Sequence, residues 1–261
     1  MNEQAEKIWP PRLRQMKQRG EKIVMLTAYD ALMARLLDRA GIDVVLVGDS
    51  LGMVLLGYRT TLPVTLEAMI HHTQAVSRGV ERALIVADMP FLTFQVNVSE
   101  AIRNAGRLLQ EGGANAVKIE GPAIATTAAL VEAGIPVMGH LGLLPQSVNR
   151  MGGFHQQAKS DEEAFLLIEN AKALEKAGAF AIVLESIPAK VAQCAASELS
   201  IPAIGIGAGP HCDGQVLVSY DAFGLTEGPV PSFAKAYAKL GAAISEAAKA
   251  YAEEVRNGVF P

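Results

Sequence analysis

Eight short apolar runs, most of them followed by a segment of helical periodicity, constrain the fold of this chain more than any other feature. The runs are rich in β-branched residues and lack polar alternation, which is typical of parallel strands buried on both faces. Alternating strands and helices over 261 residues predict one closed (β/α)8 barrel. The predicted strands are Ile23–Asp30, Asp43–Ser50, Ala83–Pro90, Ala116–Gly121, Pro136–Leu143, Ala181–Ile187, Pro202–Gly209 and Gln215–Asp221.

Helical periodicity fills most of the intervals between these runs, and the segment before Ile23 is expected to add a short helix that caps the barrel bottom. A doubly wound open sheet is the structural alternative, but it usually binds its ligand at a single switch point. We see no linker, so we predict one domain over residues 1–261. The predicted helices are Ala31–Ala40, Leu66–Arg78, Ser99–Gly113, Ile124–Glu132, Asp161–Ala177, Ala189–Glu198 and Phe233–Asn257.

Charge and hydropathy exclude several classes of function. The net charge of −4 provides no basic field for nucleic acid. No apolar run reaches the roughly 20 residues that span a bilayer, and the polar N-terminus has no apolar signal core. Two cysteines suggest no disulfide framework. We therefore expect a cytoplasmic protein that acts on small molecules, without a nucleic-acid or membrane partner.

The second to the sixth predicted strands each carry an acid, a lysine or a histidine near the C-terminal end. Burying a carboxylate is costly unless a partner compensates it, and in a barrel these ends converge on one face. Asp49, Asp88 and Glu120 would supply three hard oxygen ligands, which suit Mg²⁺ better than Zn²⁺. The alternative for each acid is a loop or helix-capping role, because an Asp just after a strand often caps the next helix.

Three further groups belong to the same predicted face. Lys118 and Glu120 are two residues apart on one strand, so their side chains point to the same side. Glu120 could bind a metal while Lys118 holds a substrate carboxylate. The alternative is that the two residues form a buried ion pair with each other. His140 lies between glycines and could contact a substrate or be a core histidine. Glu185 has apolar neighbours in sequence, and a carboxyl in such surroundings suits a general base near neutral pH unless a distant lysine pairs with it.

Two loops complete the set of candidates. GIGAG, Gly205–Gly209, follows the seventh strand, where barrels can bind phosphate, but it lacks the Lys-Ser/Thr of a P-loop. Close backbone approach or a tight turn would explain its glycines equally well. The long loop Pro145–Ser160 is a lid candidate, since loops of that length in compact domains are often functional.

Several motifs in register over nearly the full chain resemble the 3-methyl-2-oxobutanoate (ketopantoate) hydroxymethyltransferase family. The resemblance is carried by AYD at 28–30, LVGDSLGM at 46–53, TLPVT at 61–65, ADMPF at 87–91, VKIEG at 117–121, GHLGLLPQSV at 139–148, GIGAG and DAFG at 221–224. It implies a barrel of the phosphoenolpyruvate/pyruvate-binding type. It also implies a transfer of a hydroxymethyl group from 5,10-methylenetetrahydrofolate to 3-methyl-2-oxobutanoate, giving 2-dehydropantoate for pantothenate and coenzyme A synthesis.

The resemblance also implies roles for individual residues and a quaternary structure. Asp49, Asp88 and Glu120 would be the acids of a site for one Mg²⁺ per subunit. Asp49, Ser50, Asp88, Lys118 and His140 would contact the oxo acid, and Glu185 would accept its proton. A homodecamer is expected from the same resemblance. The lid segment MGGFHQQAKS and the segment LTEGPVPSFAK depart from the family pattern, and neither includes a metal-site acid.

Two rival functions share the predicted fold. A Mg²⁺-dependent lyase of the isocitrate-lyase-like group would cleave a C–C bond through the same enolate chemistry, but such enzymes often need a lid cysteine, and residues 145–160 contain none. A non-enzymatic binding barrel would leave Glu185 and the three acids unexplained. Metal-dependent ligand binding and proton exchange distinguish these rivals from a transferase.

Overall fold

In the computed structural model, which describes residues 6–228 and 230–261, eight parallel strands form a closed barrel in sequence order. The predicted fold class is thereby confirmed. Each strand is shorter than its apolar run, because pairing stops where the chain turns toward the following helix. The strands are β1 Ile23–Thr27, β2 Val44–Val47, β3 Leu84–Asp88, β4 Ala116–Glu120, β5 Val137–Gly142, β6 Ala181–Glu185, β7 Ala203–Ile206 and β8 Gly214–Leu217.

Helices connect most of these strands, and several begin at a side-chain cap. Asp30, Thr65, Asn97 and Ser160 each accept a hydrogen bond from a backbone N–H in the first turn, which compensates one of the unpaired donors there. The helices are α1 Pro10–Gln18, α2 Ala31–Arg39, α3 Leu51–Val54, α4 Leu66–Ser77, α5 Val98–Gln110, α6 Ile124–Glu132, α7 Val148–Met151, α8 Asp161–Lys176, α9 Ala189–Glu198, α10 Ser219–Ala222 and α11 Leu240–Arg256.

Several predicted boundaries are wrong, among them the following three. The helix expected to begin at Ser99 begins at Val98 and is capped by Asn97. The eighth strand ends at Leu217, and α10 takes up part of the run that was expected to be strand. The last helix begins at Leu240, not at Phe233. In each case the type of element is as predicted, but the residue at which the element begins or ends is not.

The chain divides into two compact units, one ending at Val216 and the other beginning at Leu217. The prediction of a single domain over residues 1–261 stays a prediction. The second unit contains α10 and α11, and α11 has no buried residue. Among the described residues, no helix combines the length and the apolar character that a membrane span requires.

The first unit has an apolar core inside the lower half of the barrel. Leu13 and Met16 of α1 pack there against residues from the beginnings of the strands, among them Met25 and Met138. The predicted N-terminal capping helix therefore exists and closes the bottom of the barrel. A second apolar cluster lies between the strands and helices α8 and α9. Asp49, Asp88, Lys118, Glu120 and His140 are buried toward the opposite end, where the strands finish.

Candidate active site

The site residues predicted from the sequence lie at or near the C-terminal ends of neighbouring strands. Because all strands are parallel, these positions share one face of the barrel. All belong to the first unit of the chain. Asp49 and Ser50 follow β2, Asp88 ends β3, Lys118 lies within β4 and Glu120 ends it, His140 lies within β5, and Glu185 ends β6.

Lys118 is buried and forms an ion pair with Asp88, with 2.8 Å between Nζ and Oδ1. The strand register explains this contact, because Asp88 and Lys118 are direct partners across β3 and β4. Burial opposes the charge of the ammonium group, but the carboxylates of Asp88, Glu120 and Asp49 outweigh it and raise the pKa of Lys118. Lys118 is therefore a permanently charged group inside the barrel.

Asp49 and Asp88 lie side by side, since the backbone N–H of Asp49 donates to Oδ2 of Asp88 at 3.0 Å. Burial and the neighbouring Asp88 raise the pKa of Asp49 to about 7. Burial and Asp49 likewise raise the pKa of Glu120 well above its ordinary value. One lysine cannot balance three ionised carboxylates, so full ionisation of this group requires a further cation.

His140 connects the lysine to Glu185. Its Nδ1 lies 3.2 Å from Nζ of Lys118, and its Nε2 lies 3.2 Å from Oε2 of Glu185 without forming a hydrogen bond. Burial and the charge of Lys118 lower the pKa of His140, so the imidazole is neutral. An ammonium group can only donate, which makes Nδ1 the acceptor and turns the N–H of Nε2 toward Glu185. Glu185 itself is partly exposed, and a histidine, not a lysine, is its partner.

Ser50 presents its hydroxyl beside the acids. Its Oγ lies 2.9 Å from the phenol oxygen of the buried Tyr29, a contact that the sequence did not indicate. Gly48 leaves the space that this arrangement needs. A Cβ at position 48 would lie 2.7 Å from Oγ of Ser50 and 3.5 Å from Oδ2 of Asp88.

Gln146 is a second residue that the sequence did not single out. It lies in a 3-10 turn, Pro145–Ser147, at the start of the lid candidate and is buried. Its side-chain Nε2 donates to Oδ2 of Asp49 at 2.9 Å and to the carbonyl of Met89 at 2.9 Å. Its backbone N–H donates to Oε2 of Glu120 at 3.0 Å. One residue thus contacts two of the three acids.

The far end of the lid candidate is also attached to the site. The backbone N–H of Gln157 donates to the carbonyl of Ser186 at 2.9 Å, directly after Glu185. Ser186 and Ala158 both have positive φ, at 47° and 54°, which is uncommon outside glycine. Backbone strain of this kind is often found at ligand sites.

The donor set suits a hard dication, although it does not form a finished metal cage. Within the described part of the chain, no group of three or more His, Cys, Asp or Glu side chains is placed so as to hold a metal ion. Mg²⁺ usually takes one or two carboxylates and completes its octahedron with water and substrate. The buried excess of negative charge on Asp49, Asp88 and Glu120 fits such an ion, with some acids acting through water.

The glycines of GIGAG have a packing explanation. A Cβ at Gly205 would lie 2.9 Å from the sulfur of Cys212, and a Cβ at Gly209 would lie 2.4 Å from Cβ of Ala189. Close approach of the next loop and of α9 therefore requires these glycines. Phosphate binding there stays an untested alternative.

Comparison with known sequences gives one consistent answer. A family model described as ketopantoate hydroxymethyltransferase matches residues 7–261. A relative from Syntrophus aciditrophicus, named 3-methyl-2-oxobutanoate hydroxymethyltransferase, is 55% identical over 98% of this chain and 95% of its own length. A relative of the same name from Thermosynechococcus vestitus is 56% identical over 96% of this chain and 97% of its own.

Comparison with solved structures supports the fold. Phosphoenolpyruvate phosphomutase from Streptomyces platensis subsp. rosaceus superposes with a TM-score of 0.64 at 14% identity, covering 96% of this chain and 88% of that one. A 2,3-dimethylmalate lyase of the PEP mutase/isocitrate lyase superfamily gives 0.63 at 18% identity, covering 95% and 88%. At these identities the likeness concerns the barrel type alone.

Proposed function

The chain belongs to the ketopantoate hydroxymethyltransferase family, and from that premise we propose that it transfers a hydroxymethyl group from 5,10-methylenetetrahydrofolate to 3-methyl-2-oxobutanoate. The product would be 2-dehydropantoate, for pantothenate synthesis. The relatives' names state the group transferred and the acceptor, while the folate donor is the finer part of the proposal.

The oxo acid would be held by its carboxylate and its keto oxygen. Lys118 is charged and buried, and the Ser50 hydroxyl is held by Tyr29, so both can fix the substrate carboxylate. Holding the carboxylate together with the adjacent keto oxygen orients the C3 atom toward one side of the site. Such orientation can contribute several orders of magnitude to the rate.

Asp49, Asp88 and Glu120 would hold Mg²⁺, directly or through water. When bound, the metal stabilises negative charge on the substrate oxygen, a contribution of several kcal/mol. The same charge would offset the burial and the repulsion by Asp88 that together raise the pKa of Asp49.

Glu185 would accept the proton from C3. It is the one proposed site carboxylate that is partly exposed and lies outside the group around Lys118, and neutral His140 offers it an N–H. The resulting nucleophilic carbon forms a C–C bond to the methylene carbon of the folate while one of the two C–N bonds of that carbon breaks. Water then displaces the second folate nitrogen and supplies the hydroxyl oxygen of the product. Tetrahydrofolate leaves, and its two nitrogens take up the proton from Glu185 and one proton from water. A lid over the site would protect the reactive one-carbon unit from bulk water.

The observation that carries this proposal is the division of the site into two parts. Asp49, Asp88 and Glu120 surround Lys118, and Glu185 lies beyond His140. One part suits binding and charge stabilisation, and the other suits proton abstraction.

The test uses metal-stripped protein with 3-methyl-2-oxobutanoate in heavy water, followed by proton NMR. Addition of Mg²⁺ should cause loss of the C3 proton signal, and addition of methylenetetrahydrofolate should then yield 2-dehydropantoate. Exchange without product would indicate another electrophile. Absence of exchange with and without Mg²⁺ would contradict the roles proposed for Glu185 and the metal.

A further inference from the structure

Gln146 forms hydrogen bonds with two of the proposed metal-site acids, Asp49 and Glu120, and these bonds are not needed to form the turn Pro145–Ser147. The residue is buried, and its side chain makes two hydrogen bonds as a donor, one to Oδ2 of Asp49 and one to the carbonyl of Met89. Its Oε1 accepts a hydrogen bond from Nε2 of Gln95, at 3.3 Å. Each polar atom of the amide therefore has a partner.

The orientation of this amide is fixed by chemistry. A carboxylate and a carbonyl can only accept, so the nitrogen of the Gln146 amide must face Asp49 and Met89. Exchanging its oxygen and nitrogen would place the amide oxygen against two other oxygens. Gln146 is thus an obligatory donor toward Asp49.

The hydrogen bonds from Gln146 occupy one oxygen on each of two acids. They engage Oδ2 of Asp49 and Oε2 of Glu120 at 2.9 and 3.0 Å, so the second oxygen of each carboxylate remains available to another partner. Groups that hydrogen-bond to metal ligands fix the orientation of the ligand and commonly affect metal affinity 10- to 100-fold.

We propose that Gln146 is a positioning residue, whose side-chain amide fixes Asp49 and whose backbone N–H fixes Glu120 for divalent metal binding. The inference rests on the proposed function, since it requires these acids to bind the metal. It adds a residue that contacts neither the metal nor the substrate. It also makes the start of the lid, at the turn Pro145–Ser147, part of the metal site.

The test replaces Gln146 by Met, which keeps the length of the side chain and removes its donors while leaving the backbone N–H to Glu120. Mn²⁺ serves as the probe, and its binding is measured by electron paramagnetic resonance. We expect the Mn²⁺ dissociation constant of Gln146→Met to rise about 10- to 100-fold. High Mn²⁺ should restore the C3 proton exchange of this variant, which a misfolded protein would not show.

Gln157→Met is the matched control, because it makes the same exchange in the same loop at a side chain whose amide donates to the carbonyl of His155. It should bind Mn²⁺ like the unchanged protein.

Asp49→Asn distinguishes the metal-binding role of Asp49, which belongs to the proposed function, from the positioning role of Gln146. Loss of Mn²⁺ binding in Asp49→Asn together with unchanged binding in Gln146→Met would overturn the role of Gln146 and leave the proposed function intact.

Absence of Mn²⁺ binding in the unchanged protein would remove the metal from the proposed function and this inference with it. If Gln146→Met fails to fold, Gln146→Asn takes its place, because the shorter side chain withdraws the amide from Asp49 while keeping it polar. The same rise in the dissociation constant is expected, and unchanged binding would overturn the inference.

Discussion

Gly48 is needed at its position because the side chains of Ser50 and Asp88 occupy the space beside it. A Cβ there would lie 2.7 Å from Oγ of Ser50, closer than real contacts allow. The hydroxyl would have to leave the hydrogen-bonding distance of Tyr29 that it now keeps. A residue without a side chain thus determines the geometry of its neighbours.

We expect Gly48→Ala to raise the KM for the oxo acid about tenfold or more, since misplacement by about 1 Å can cost two orders of magnitude in rate. Steady-state kinetics at varied oxo-acid concentration measure this. Gly106→Ala is the matched control, as a Cβ at position 106 within α5 meets no atom within 4 Å. Equal KM values in the two variants would contradict the crowding argument.

Glu185→Gln should retain metal-dependent binding of the oxo acid and lose C3 proton exchange. The change keeps the size of the side chain and removes its basicity, so the exchange rate should fall about 100- to 10,000-fold. Calorimetry measures the binding, and proton NMR in heavy water measures the exchange. Normal exchange in this variant would remove Glu185 from the role of base.

The charged residues of the site could be anticipated from the sequence, but their pairing could not. Lys118 was expected to lie beside Glu120 on its own strand, and its ion pair is instead with Asp88, which the register of β3 and β4 places opposite. Gln146 and Tyr29 were missed because uncharged polar residues in loops carry no periodic signal. Both residues lie in motifs that carry the family resemblance, at 28–30 and 139–148, but neither was given a role there.

At the scale of elements, the start of four helices depends on which polar side chain accepts a backbone hydrogen bond in the first turn. Both Asn97 and Ser99 suit a cap, and Asn97 fulfils the role because its side chain reaches the N–H of Glu100. In the run Gln215–Asp221, apolar residues continue past Leu217, where β8 ends. The predicted strand therefore extended into α10. Element type was therefore predictable, whereas the boundaries depend on pairing.

The helix that follows the lid candidate begins with a capping box. Ser160 accepts from the N–H of Glu163 at 3.2 Å, and the Glu163 carboxylate accepts from the N–H of Ser160 at 3.2 Å. The cap fixes the point at which the loop ends and α8 begins. These contacts also lower the pKa of the exposed Glu163.

Ser160→Ala should lower the free energy of unfolding by about 1 kcal/mol, the usual value of an N-cap side chain. Chemical denaturation measures the effect, and the dependence of the free energy of unfolding on denaturant concentration should be unchanged. Ser197→Ala is the control, because the Ser197 hydroxyl donates to the carbonyl of Cys194 within α9 and caps no helix start. An equal decrease in the free energy of unfolding in both variants would contradict a stabilising role of the Ser160 cap.

At the scale of the whole molecule, the two ends of the barrel have different tasks. The C-terminal face carries the proposed active site, while residues at the bottom of the barrel stabilise the fold. Lys17 of α1 donates to Oδ2 of Asp213 at 2.9 Å and to the carbonyls of Ala196 and Ile201. The capping helix is thus attached to the segments on either side of β7.

Lys17→Met should reduce the free energy of unfolding by about 1–3 kcal/mol, because Asp213 and two carbonyls lose their donor. The Mn²⁺ dissociation constant should stay within twofold, since no proposed metal-site acid contacts Lys17. Denaturation and electron paramagnetic resonance measure the two quantities. A change in metal affinity as large as that expected for Gln146→Met would contradict the division between the two ends.

The quaternary structure belongs to this scale as well. A homodecamer is expected from the family resemblance, and it stays a prediction. Sedimentation and native mass spectrometry of the full chain measure it directly.

The order of the strands around the barrel also determines the order in which the site is made. Because the strands are arranged in sequence order, Asp49, Asp88, Lys118 and Glu120 leave the ribosome well before Glu185, and β8 follows last. The face that brings the acids together is complete only when β8 has closed the barrel. Synthesis therefore supplies the proposed metal ligands before the proposed base, whereas folding makes the two parts of the site functional together.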